Sequence, residues 1–78
     1  MAEGTIDPKE AAEAASKFYR DTTGNYASLS LEEIELKGEF WYVTLGLPKG
    51  GLIYDQKEYK VFKINAKTGH VESMTLRK

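Results

Sequence analysis

Tyr59-Lys60-Val61-Phe62-Lys63-Ile64-Asn65-Ala66-Lys67-Thr68-Gly69-His70-Val71-Glu72-Ser73-Met74-Thr75-Leu76 is the stretch whose reading decides the fold. Two runs of alternating apolar and polar residues flank a turn, and Gly69 supplies the positive φ that such a loop needs. Closing the turn at Asn65 and His70 pairs Ile64 with Val71 and Phe62 with Ser73. One face of this hairpin then carries Phe62, Ile64 and Val71. The other carries Tyr59, Val61, Met74 and Leu76, with Lys63 facing Glu72 near the turn.

Working back, Ala27 to Leu47 reads as a second hairpin with its loop at Lys37-Gly38. That register pairs Leu36 with Glu39, Ile34 with Trp41 and Glu33 with Tyr42. Ile34, Leu36, Trp41, Val43 and Leu45 share one face, and Glu33, Glu35, Phe40 and Tyr42 the other. Leu29 and Leu31 have the wrong parity for a flat strand, and a bulge at Glu32-Glu33 reconciles them. Between the hairpins, Pro48 to Gln56 is a connection carrying Leu52, Ile53 and Tyr54, which either tuck against the core or meet a partner.

Upstream lies one helix, at about residues 8–22. Asp7-Pro8-Lys9-Glu10 combines an N-cap, a first-turn proline and a capping-box glutamate, with Ile6 placed to staple against Ala11. Ala11, Ala14, Ala15 and Phe18 form the inward face, flanked by Ala12 and Tyr19, and Gly24-Asn25 ends the helix. The fold class is therefore α+β: one N-terminal helix packed on a four-stranded antiparallel meander, a single domain over residues 1–78.

Composition narrows the function. At 78 residues with 41% hydrophobic content the chain can bury one small core. It has no cysteine, which removes disulfides and thiolate metal sites. Eleven basic and twelve acidic residues are spread evenly, without the basic tract expected of a nucleic-acid binder. The apolar runs are too short for membrane insertion by a helix, and Met1 to Thr5 has no signal-peptide core. A complete chain would be cytoplasmic, and one excised from an exported precursor extracytoplasmic.

Candidate chemistry is sparse. His70, the sole histidine, sits at a turn and reads as a solvated residue. Glu32, Glu33, Glu35 and Glu39 alternate with apolar residues near Lys37, Lys60 and Lys63, which fits a solvated strand face better than paired catalytic carboxylates or a calcium site. Lys49-Gly50-Gly51 lacks the Gly-Lys-Ser/Thr ending of a phosphate loop. Lys37-Gly38-Glu39-Phe40-Trp41-Tyr42-Val43 superficially resembles an RNA-recognition signature but places Glu39 where an aromatic belongs. No catalytic residue, metal ligand or cofactor site is assigned.

Three segments together resemble the PepSY family, small modules of peptidase propeptides and bacterial envelope proteins. They are the alanine-rich helix Pro8–Tyr19, the glycine-then-aromatic strand Gly38-Glu39-Phe40-Trp41-Tyr42-Val43, and Tyr59 through Val71. The last is similar to the family's ending of strand, Asp-Ala-Lys-Thr-Gly-Glu, strand, with Asn65 and His70 in place of the acidic residues. The resemblance implies a non-catalytic regulatory module, with a peptidase as partner.

The aromatic distribution implies an interaction surface. One helix covers one sheet face, leaving Phe40, Tyr42, Tyr59, Val61, Met74 and Leu76 on the other as a candidate face for a protein partner or self-association. Leu52, Ile53 and Tyr54 are candidate loop contacts. Two alternatives remain. One is a cystatin-like peptidase inhibitor working through Lys37-Gly38 and the Pro48–Tyr54 loop, although the Gln-x-Val-x-Gly loop of cystatins is absent. The other is a small-ligand module with a pocket beside Tyr19 or Trp41.

Overall fold

The computed structural model describes residues 4–24, 28–48 and 57–77. In chain order they form α1 (Pro8–Thr23), β1 (Ser30–Lys37), β2 (Phe40–Pro48), β3 (Lys57–Asn65) and β4 (Val71–Arg77). The strands make one antiparallel sheet in the order β1-β2-β3-β4, and α1 packs on one of its faces. This is the meander that the alternating runs imply.

The signals at both ends of α1 operate as read. Asp7 accepts from the Glu10 amide at 2.8 Å, and the Asp7 amide donates back to Glu10 Oε1 at 3.0 Å, completing the capping box. Gly24 closes the helix in the left-handed region, its N–H donating to the Arg20 carbonyl. The inward face is rotated slightly from the sequence reading. Ala11, Ala15 and Tyr19, spaced i, i+4, i+8, are its buried line, while Ala14 and Phe18 are partly buried beside them. Tyr19 is thus a core residue at 6% exposure, not a flanking one. The alanines let the helix approach the sheet, and the Phe18 ring meets that of Phe62 edge-on at 6.4 Å.

Against this helix face the sheet presents Trp41, Val43, Leu45 and Leu47 from β2, and Phe62 and Ile64 from β3, all buried. Ile34, Val71 and Leu29 pack around them. The N-terminal segment is tied to both hairpin turns. The Ile6 N–H donates to the Ala66 carbonyl at 2.7 Å, the Ala66 N–H donates to the Glu39 carbonyl at 2.9 Å, and Trp41 Nε1 donates to the Ile6 carbonyl at 3.1 Å. These bonds explain why Ala66, in a turn, is buried.

The first hairpin closes one residue later than expected. Lys37 pairs with Phe40 and Leu36 with Trp41, so the loop is Gly38-Glu39. Gly38 has φ 60° and among the described residues no non-glycine has positive φ, which places glycine first in the loop, as a type II′ turn requires. The slip moves one residue on each strand, so parity and faces are unchanged. The bulge falls where the leucine parity demands it: Leu31 pairs with Leu45 and Glu33 with Thr44, leaving Glu32 as the extra residue.

The second hairpin corrects the sequence reading more deeply. Its turn is as expected. Asn65 Oδ1 accepts from the Lys67 and Thr68 amides, the Gly69 N–H donates to the Asn65 carbonyl, and Ile64 pairs with Val71. Beyond it a second bulge leaves Glu72 unpaired, so Lys63 pairs with Ser73, Phe62 with Met74 and Lys60 with Leu76. The extra residue flips the rest of β4. Met74 packs against the core on the helix side, and Leu76 shares that side at the sheet edge, 48% exposed. Neither belongs to the face opposite the helix. Leu52, Ile53 and Tyr54 lie outside the described residues.

Candidate protein-docking face

Antiparallel register sorts the face opposite α1 into rows that cross the strands. One row is Lys37, Phe40 and Asn65. The next is Glu35, Tyr42, Lys63 and Ser73. Then come Glu33, Thr44, Val61 and Thr75, and last Ser30, Gly46, Tyr59 and Arg77. Of the six residues assigned here from sequence, Phe40, Tyr42, Tyr59 and Val61 are present together on the two central strands. All four are half-buried. No described element lies over this face.

Each ring has a cation against it. Lys63 Nζ lies 4.3 Å from the Phe40 ring centre, Lys37 Nζ 5.7 Å from that of Tyr42, and Arg77 Cζ 5.6 Å from that of Tyr59. All three distances are within the range where the ring quadrupole attracts a cation. The aliphatic stems of these side chains lie along apolar surface while their charges stay wet. Arg77 also pairs with Glu33, Nη1 to Oε1 at 3.2 Å, joining the sheet's two edge strands above the centre of the face.

Thr44 lies in the row that this ion pair overhangs, between Glu33 and Val61, and is only 3% exposed. The neighbouring Gly46 is buried too, for a related reason. The bulge at Glu32 turns that carboxylate over the glycine, where Ser30 Oγ bonds to it, and a β-carbon at position 46 would meet Glu32 Oε2 at 2.5 Å. Charged side chains therefore roof one end of the face, leaving Phe40 and Tyr42 near the turns and Val61 and Tyr59 along its length. Sequence reasoning assigned the rings and allowed for lysine and glutamate stems over them; which side chains do so depends on cross-strand diagonals that only the true register defines.

His70 is exposed in the turn, where its backbone N–H donates to Thr68 Oγ1. Among the described residues, no group of three or more His, Asp or Glu side chains could hold a metal ion. The space between α1 and the sheet is filled: Phe62, Ile64 and Val43 are fully buried, and Tyr19 and Trp41 pack with them. An open depression of about 290 Å3 lies instead on the outer side of α1, lined by Lys9, Ala12, Glu13, Ser16, Lys17 and Arg20. No described helix is long and apolar enough to cross a membrane.

Compared with protein-family models, with curated proteins and with solved structures, the chain gives no match.

Proposed function

We propose that the chain is a non-catalytic protein-binding module that uses the face opposite its helix, and that a peptidase is the partner to test first. The observation that supports this is the set of three rings, Phe40, Tyr42 and Tyr59, with Val61, held on the two central strands under cationic side chains. A solvated sheet face ordinarily alternates to charge at such positions. Rings on fixed strands offer large contact area at low entropic cost. A partner's apolar side chains would take the place of the lysine and arginine stems, whose charges stay in water at the rim. Peptidase regulation comes from the resemblance to PepSY modules.

The experiment is a panel of purified metallo-, serine and cysteine peptidases, assayed for inhibition and for binding to the immobilised chain. Binding that falls at least tenfold in Tyr42→Lys and Val61→Lys, with the folded circular-dichroism spectrum retained, supports the reading. Binding that these changes leave intact, or no binding across the panel, overturns it.

A second reading, inhibition through loops as in cystatins, is favoured by one observation. Ile6, the Gly38-Glu39 turn and the Ala66 turn are hydrogen-bonded together at one end of the sheet. In the same panel, Gly38→Asp and Lys67→Glu would weaken inhibition on this reading, and Tyr42→Lys would not.

A further inference from the structure

We infer that β4 is a self-pairing edge, through which two copies of this chain join their sheets about a two-fold axis. The two edges of the sheet differ in how they meet solvent. β1 is interrupted by the Glu32 bulge and carries Glu32, Glu33, Glu35 and Lys37 within eight residues. Pairing β1 with its own copy about Ile34 would set Glu33 against Glu35′, and about Glu33 or Glu35 would set that glutamate against itself. Charge and bulge together are how edges are protected from such pairing.

β4 has little of this protection. Its bulge lies at its first residues, and Ser73 to Leu76 contains no charge and no proline. Of Arg77 and Lys78, which follow, Arg77 turns inward across the sheet to Tyr59 and Glu33, away from the edge. A two-fold axis perpendicular to the sheet keeps each face on its own side, so self-pairing must oppose residues of like parity. Centred on Thr75, it opposes Met74 with Leu76′ and Leu76 with Met74′, which gathers four apolar side chains on the helix side. Centred on Met74, it would instead set Leu76 against Glu72′. The Thr75 register gives the exposed Leu76 an apolar partner and the outward backbone groups of β4 a ladder. The product is a closed dimer with an eight-stranded sheet and both helices on one side. It does not grow further, since its remaining edges are the two copies of β1.

The edge and the open face are separate surfaces, so their tests fail separately. Sedimentation equilibrium of the full chain from micromolar to millimolar concentration should show monomer and dimer. Leu76→Lys, at an exposed site that should not disturb folding, should weaken the dimer at least tenfold. Leu36→Lys, the matching change at the 46%-exposed leucine of β1, should leave it unchanged. A chain that stays monomeric throughout, or a dimer indifferent to Leu76→Lys, or one lost instead in Tyr42→Lys, would overturn the inference.

Discussion

Arg77 and Glu33 hold their charged ends 3.2 Å apart across the open face, although they belong to the last and first strands, the two edges of the sheet. Three inter-strand spacings, about 14 Å, separate those strands. Sheet twist and the length of the arginine let the pair close over Thr44. Both side chains remain about half exposed, so the pair organises the face more than it stabilises the fold.

A double-mutant cycle with Arg77→Ala and Glu33→Ala in urea should therefore give a coupling of about 0.2–1 kcal/mol, shrinking as salt is raised. A coupling above about 2 kcal/mol, unaffected by salt, would mean that the bridge is part of the fold's main support.

Removing the Trp41 Nε1 donor should have a larger effect. Trp41→Phe leaves the Ile6 carbonyl without this partner and loosens the join between the helix entry and the sheet. The expected cost is about 1–3 kcal/mol by urea unfolding, the range for a polar group stranded in a buried setting. It should be accompanied by faster amide exchange at Ile6, whose N–H bonds to Ala66. Unchanged stability and exchange would show that water replaces the indole.

The core should tolerate truncation poorly. Phe62 is fully buried and meets Phe18 edge-on. Phe62→Ala should cost about 3–5 kcal/mol. A domain of this size has a total stability of roughly 4–12 kcal/mol, so the variant should lose a large fraction of it and unfold at a much lower urea concentration. A midpoint in urea close to that of the parent chain would contradict the packing described.

Gly69 separates backbone strain from crowding. Its φ is 77°, and the nearest atom to an added β-carbon would be Ile6 Cδ1 at 3.9 Å, an ordinary contact. Gly69→Ala should therefore lose about 1–2 kcal/mol through conformation alone, and Gly69→Asn less, because asparagine enters this region more readily. Equal losses for the two variants would point to crowding instead.

The element order, helix caps, first bulge and much of the core were legible because each rests on a local rule. Asp7 with Glu10, Gly24, and the parity conflict of Leu31 with Ile34 state their own consequences. The Glu72 bulge was not legible. Val71, Glu72 and Ser73 read as a flat strand, and a regular register put Met74 and Leu76 in a plausible apolar set with Val61. What decides the matter is tertiary: Met74 gains burial against the core only if one residue is skipped after Val71. Tyr19 was misplaced for a similar reason, since the alanines on the inward face leave room for a large ring one turn on. That charged stems could cover the open face was legible, but the pairings made by Lys37, Lys63 and Arg77 were not, because they join residues up to 44 positions apart.

The separation of the two proposed surfaces depends on that second bulge, which sends Met74 and Leu76 to the helix side, away from Phe40, Tyr42, Tyr59 and Val61. Cross-strand nuclear Overhauser contacts between β3 and β4 in the isotopically labelled chain measure it directly. The structure requires backbone contacts pairing Lys63 with Ser73 and Val61 with Thr75. Contacts pairing Phe62 with Ser73 and Lys63 with Glu72 would return Met74 and Leu76 to the open face and contradict the account.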